Sequence, residues 1–206
     1  MVIRFWGGLG NCIFIWCRYR QLEFEGHKVK ADLNWFKRNP DRQFELTRAF
    51  DIKPKIANWF DIFKAKINGD YLIGYWQNRL YFQDINPHRE FPLFGDKIYR
   101  AAMHKRRGDY IDHPIHDVDL RKYYAKAYDY VGYPDIFSDD PKCRTVGGDD
   151  PVEDMRLMSR YDKIVISNST FSWWAAYLSS ATVIVAPEKW YTDGRGMDIP
   201  EEWRLG

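Results

Sequence analysis

Val2 to Trp6 is a short run of β-forming residues, followed at once by Gly7, Gly8 and Gly10 and then Asn11. From Cys12 to Glu25 the chain holds neither Gly nor Pro, which suits a helix that stops at Gly26. His27 to Leu33 then alternates as a strand does. Strand, glycine-rich turn, helix and strand in that order form the opening of a doubly wound unit. The second half repeats the scheme more plainly. Strands are expected at Ile98 to Met103, Asp135 to Phe137, Lys163 to Ile166 and Thr182 to Ala186. Helices are expected between them: one capped by Asp119 and ending at Gly132, one from Val152 to Ser159, and one from Phe171 to Leu178.

The stretch from Asn34 to Asp96 is aromatic and basic and has no clean period. Short helices are expected at Asp41 to Phe50 and Asn58 to Lys66, with an extended piece at Tyr71 to Trp76. Pro87, Pro92 and Gly95 punctuate its end, so a boundary is placed within Pro92 to Lys97. The expected fold is α/β, with an N-terminal lobe over 1–95 and a C-terminal lobe over 96–206, each built on a parallel sheet covered on both faces.

Composition narrows the function classes. A formal net charge of +2 over 206 residues argues against a general nucleic-acid binder, whose affinity rests on many phosphate contacts. No apolar run reaches the roughly 18 residues that span a bilayer. The nearest, Trp173 to Pro187, is broken by Ser179 and Ser180. The start of the chain enters a strand directly, with no leader pattern. A soluble cytoplasmic protein is expected, with peripheral work at a membrane surface left open. Cys12, Cys17 and Cys143 are odd in number and lack metal-ligand spacing, so they are read as buried free thiols.

Four polar clusters fall where the expected strands end, the edge at which open α/β sheets bind ligands. His104-Lys105-Arg106-Arg107-Gly108-Asp109 delivers two arginines into a glycine turn. The planar guanidinium fork suits phosphate, but the same string also fits a solvated basic turn. Neighbouring side chains diverge, so one arginine is expected to face a ligand. Ser167-Asn168-Ser169-Thr170 sits between a strand and a helix, with Phe171 and Ser172 behind it. Ser169 or Thr170 can cap that helix, whose first N–H groups make an anion site or simply a capped end. Ser138-Asp139-Asp140 offers paired acids for a metal, for a base or ribose edge, or for a turn. Gly7-Gly8-Leu9-Gly10-Asn11 lets a ligand come close to the backbone or makes a tight turn. Phe171, Trp174 and Leu178 share one helix face and are read as core.

Taken in order, GGLGN at Gly7, GYWQNRLYF at Gly74, HKRRGDY at His104, FSDD at Phe137, EDMRLMS at Glu153, SNSTFSWWAAYL at Ser167 and VIVAPEKWY at Val183 resemble the alpha-1,2-fucosyltransferase family, glycosyltransferase family 11. The resemblance implies a two-lobe fold of the GT-B kind and an inverting, metal-independent transfer of L-fucose from GDP-fucose to a galactose-terminated glycan. It needs no cofactor besides the GDP-sugar co-substrate. It assigns the β-phosphate to Arg106 and to Ser172 with Thr170 beside it, and guanine or ribose to Asp139 or Asp140. His104, Arg107, Asn168, Ser169 and Phe171 complete the donor side, while Gly8, Gly10 and Asn11 shape the acceptor side. Candidate general bases are Asp109, Asp112, His113 and His116. Two departures stand out: Cys12 replaces the Gln usual after GGLGN, and the middle of the chain is short.

Overall fold

The structure, a computed structural model, describes residues 1–93 and 95–206. It divides into two compact units, Met1–Phe91 and Pro92–Gly206. The dividing line lies at the start of the Pro- and Gly-punctuated stretch rather than after residue 95, and Phe94 within that stretch lies outside the described residues.

The first unit is built on three parallel strands in the order β2-β1-β3, with β1 at Val2–Arg4, β2 at Lys30–Asp32 and β3 at Tyr71–Leu72. The strands are shorter than the alternation at His27 to Leu33 and Tyr71 to Trp76 suggested. Helix α1 spans Leu9–Phe24, so it starts inside the glycine string, with Gly8 as its N-cap. It is buried on nearly every side, through Ile13, Phe14, Ile15, Cys17, Tyr19 and Leu22. A helix with apolar residues on most of its sides must be covered on most of them. The segment from Arg79 to Glu90 supplies part of that cover, pinned by Trp16 Nε1 to Glu90 at 2.9 Å and by Gln21 Nε2 to Asp84 at 2.7 Å. Helices α2 (Asn34–Arg38) and α3 (Leu46–Phe50) are brief, and α3 forms only the last part of the helix expected over Asp41 to Phe50. Helix α4, Trp59–Asn68, opens on a capping box between Asn58 and Asp61 and ends at Gly69 in the left-handed region. Its Ile62 and Ala65 pack with Val2, Ala57 and Tyr71. A short α5, Pro87–Glu90, closes the unit.

The second unit holds five parallel strands in the order β5-β4-β6-β7-β8. These are β4 at Ile98–Lys105, β5 at Asp135–Ser138, β6 at Tyr161–Val165, β7 at Val183–Ala186 and β8 at Arg204–Leu205, a strand absent from the sequence expectation. Helix α6 (Arg121–Val131) covers one face, where Tyr123, Ala127 and Val131 meet Ala101, Met103, Val165 and Val185. Strand alternation sends Ala102 and His104 to the other face, where α7 (Pro151–Met158) packs on β6 and on α8 (Thr170–Tyr177). Cys12 and Cys17 are buried as expected, and burial pushes both thiols up; Cys143 is not, being half-buried on the loop after β5. No described helix is long and apolar enough to cross a membrane.

Trp173 anchors the last third of the chain. It is fully buried, stacks on Tyr177 at 4.7 Å and donates from Nε1 to the Asp198 carbonyl at 2.8 Å. Trp173→Ala should cost about 3–5 kcal/mol, read as a lower urea midpoint at unchanged slope. A loss below about 1 kcal/mol would mean that the Asp198 segment is not held through this ring.

Candidate functional site

In the second sheet, β5 lies on one side of β4 and β6 on the other. The chain therefore leaves the carboxyl end of β4 in one direction and that of β6 in the other, and a crevice opens between them. Three of the four expected clusters end up on this edge: His104 to Asp109 after β4, Ser138 to Asp140 after β5, and Ser167 to Ser172 after β6.

The floor of the crevice is a buried polar layer. His104 Nδ1 and Ser167 Oγ lie 2.9 Å apart across the β4–β6 seam. Burial, with the Arg106 charge adding to it, lowers the His104 pKa to about 3, so the ring is neutral. Ser172 is completely buried; its Oγ accepts from the Ser167 N–H at 3.2 Å and donates to the Ser169 carbonyl at 3.2 Å. In the first turn of α8 its hydroxyl faces back into its own loop. Asn168 is likewise internal, donating from Nδ2 to the carbonyls of His116 and Trp190, both at 3.0 Å, so it ties two neighbouring loops to the β6 end. Ser169 takes the N-cap position of α8 without a side-chain cap bond. No acid stands in the first turn, so the positive end of α8 is left uncompensated beside half-buried Thr170. Phe171 is half-buried against His104 at 5.3 Å rather than in the core with Trp174 and Leu178.

Above this floor sits Arg106. One guanidinium nitrogen pairs with Asp109 at 2.6 Å and the other with Asp139 at 2.8 Å, while Nε is buried and unpartnered. Asp139 also accepts the backbone N–H groups of Arg107 at 2.7 Å and Gly108 at 3.1 Å. Both its oxygens are thus bonded to the turn after β4. A Cβ on Gly108 would collide with the Asp139 carboxylate, so close approach is what demands glycine there. Asp140 accepts from Lys142 N–H at 2.9 Å and shapes its own turn. Arg107 turns the other way, towards Asp117 at 3.9 Å.

An aromatic wall closes one side. The Tyr110 ring lies 5.3 Å from the Arg106 guanidinium and stacks on His116 at 4.7 Å. Burial pushes the Tyr110 hydroxyl up to about 12, so it stays a neutral phenol, and burial with His113 nearby lowers His116, which stays neutral too. His113 Nδ1 accepts the N–H groups of Ile115 and His116, both at 3.2 Å. That nitrogen is thus turned into its own loop. Asp112 is exposed, at a positive φ of 58°. Tyr110 closes the HKRRGDY string but was given no role from the sequence, and Asp117, seven residues further on, carried no signal.

The first unit gathers a second cluster at the carboxyl ends of β1 and β3. Trp6 stacks on Tyr75 at 4.1 Å, and Gln77 Nε2 donates to Asn11 Oδ1 at 3.0 Å. Gly7 has φ 81°, and a Cβ there would meet Asn11 at 2.7 Å. Gly8 caps α1 and Gly10 lies buried in its first turn, so both serve the helix start. Cys12 is buried beneath the loop, its Sγ 3.7 Å from the Trp6 carbonyl, so its replacement of Gln alters packing rather than an exposed contact. Trp6, Tyr75 and Gln77 were not singled out in the sequence because their partners lie some seventy positions away in the chain.

Comparison with known proteins bears on this arrangement. Residues 135–204 match the sequence model described as Glycosyl transferase family 11. The chain is 26% identical to an alpha-1,2-colitosyltransferase of Escherichia coli over 98% of its own length and 97% of that protein. It is 34% identical to the O-antigen biosynthesis glycosyltransferase WbnK of Escherichia coli over 44% of its own length and 39% of that protein. No solved structure matches. The motif resemblance to family 11 is thus borne out, and the activity supported is glycosyl transfer in glycan biosynthesis.

The neutral His104 sets a pH signature. The unfolded chain binds the extra proton between about pH 3 and about pH 6.5, so this group destabilises the fold as pH falls through that window. In urea titrations at about pH 7 and about pH 4.5, His104→Gln should close on the wild type in stability as pH falls, by up to about 1.4 kcal/mol per unit. A gap that does not change with pH would contradict a buried neutral imidazole.

Proposed function

From a glycosyltransferase with a family 11 region, we propose a transferase that moves L-fucose from GDP-β-L-fucose to a galactoside hydroxyl, with inversion, giving an α-1,2 linkage. The two Rossmann-type units are assigned to the GT-B class, with the donor on the second and the acceptor on the first. The observation that carries the reading is Arg106 at the switch point, its guanidinium over the Tyr110 ring, whose hydroxyl bonds to Ser169, the N-cap of α8. A diphosphate leaving group gains charge as the sugar departs, and a preorganised guanidinium with helix N–H groups is the arrangement that stabilises it.

Arg106 meets the donor already paired, so one carboxylate must yield. The two are unequal. Asp109 is half exposed, and an ion pair of that kind is worth about 0–1 kcal/mol. Asp139 is more buried and also holds two backbone N–H groups. A phosphate would displace Asp109 at little cost and leave Asp139 in place. Asp109, so released, is the general base we assign, since His113 Nδ1 is turned into its own loop and His116 is enclosed by rings. Asp140 is assigned to guanine or ribose.

A second reading keeps the site and changes the sugar to another GDP-hexose. It is favoured by the full-length similarity to a colitosyltransferase. Offering both donors with a galactoside acceptor, and reading the product linkage by NMR, separates the two; release of GDP with no glycoside formed would reject both.

Two further outcomes are expected. GDP should raise the melting temperature and UDP should not; a hundredfold excess over Kd corresponds to about 2.7 kcal/mol, and equal shifts would remove the guanine assignment. Arg106→Lys keeps the charge but loses the fork, so kcat should fall about a hundredfold, or about 3 kcal/mol. Arg107→Lys, whose side chain points to Asp117, should fall much less. Near-normal kcat for Arg106→Lys beside a crippled Arg107→Lys would reverse the assignment.

A further inference from the structure

Helix α4 presents an apolar stripe to solvent. Trp59 is 74% exposed, Phe60 62%, Phe63 49% and Ile67 69%. At 3.6 residues per turn these four fall within an arc of about 100°. Ile56, just before the helix, extends the stripe and is also exposed. The opposite side of α4 is the one that packs on the sheet, through Ile62 and Ala65. The stripe is therefore not core surface misplaced by a frayed helix; α4 has a well-made start in its capping box and a left-handed Gly69 at its end. Trp59 and Phe63 stack at 5.4 Å and make one continuous aromatic surface.

The charge around the stripe is one-sided. Lys64 and Lys66 border it on its two flanks, Lys66 with its ammonium 5.1 Å from the Tyr71 ring, and Lys55 precedes it, all three exposed. The acids near it are already committed: Asp61 to Lys30 and to the Asn58 N–H, and Asp51 to Lys53. Several large exposed apolar side chains in a row mark a contact surface rather than ordinary surface.

We propose that α4 is an interfacial helix that seats the protein on an anionic phospholipid surface. Trp59, Phe60, Phe63 and Ile67 enter the headgroup and upper acyl region, while Lys64 and Lys66 extend sideways to the lipid phosphates. Aromatic rings and lysines bordering an apolar face are what such an interface accepts. A second copy of the chain is the poorer occupant. A twofold contact would bring the same lysines of two stripes together, and like charges across an interface oppose it. The proposal stands apart from the sugar-transfer reading, since none of these residues belongs to either cluster described above.

The test is co-sedimentation of the whole chain with vesicles of phosphatidylglycerol and phosphatidylcholine, against vesicles of phosphatidylcholine alone. Binding to the anionic vesicles is expected to weaken with added salt and to be much lower on the neutral ones. Trp59→Ser with Phe63→Ser should lower the partition at least about tenfold. Lys64→Glu with Lys66→Glu should lower it about tenfold as well. All four positions are exposed, and circular dichroism should show both variants folded. Transfer to a water-soluble galactoside should be unchanged in both, which keeps a failure here distinct from a failure of the proposed activity. Wild-type protein left in the supernatant with anionic vesicles would overturn the proposal, as would double variants that bind like wild type. A dimer in analytical ultracentrifugation that the Trp59→Ser, Phe63→Ser variant dissolves would assign the stripe to a second copy instead.

Discussion

Asp139 reaches from the end of β5 to the turn after β4 and holds Arg106, the Arg107 N–H and the Gly108 N–H. The two strands are parallel neighbours, so the carboxylate bridges adjacent strand ends and fixes the turn that carries both arginines. A half-buried carboxylate with one cation and two backbone donors is far harder to displace than an exposed ion pair. The guanidinium is thereby held in one direction. Gly108 follows from the same contact: the turn passes so near Asp139 that a side chain there would have to push it away.

The strand ends separate into an inner and an outer polar layer. His104, Ser167, Asn168 and Ser172 are buried and bonded to one another or to loop carbonyls. Each finds a partner inside the fold, because buried polar groups left without partners are costly. Arg106, Asp109, Thr170 and Phe171 lie half-exposed or exposed above them, as far as charge and hydroxyls meet solvent. Tyr110 and His116 stay neutral through burial and wall the crevice without adding charge. The positive potential at its mouth then comes from Arg106 and the α8 N-terminus.

The first unit follows a related plan with different chemistry. Its central strand β1 also has neighbours on both sides, and the residues past β1 and β3 meet there. The meeting is made by stacked rings and amides, with the Arg4 guanidinium 5.7 Å from the Trp6 ring, rather than by a bridged pair of arginines. Helix α1 is buried over most of its surface from Cys12 to Leu22, with its glycine-rich start beneath the cluster.

The sequence by itself determined the α/β class, the order of the second unit's strands and helices, and the placing of His104–Asp109, Ser138–Asp140 and Ser167–Ser172 at strand ends. These follow from local periodicity and from Gly, Pro and capping residues, which act over a few positions. Tertiary structure decided which members of those clusters face out. Ser172 and Asn168 turned inward because the first turn of α8 and the neighbouring loops needed their bonds. Asp139 was taken by a turn some thirty residues earlier in the chain. His113 Nδ1 was taken up by two backbone donors of its own loop. The irregular middle was illegible for the same reason: its short helices are held by single long-range contacts such as Trp16 to Glu90 and Gln21 to Asp84, which leave no period in the sequence. Identity and spacing specify which groups can do chemistry. Only packing decides which of them remain uncommitted to do it.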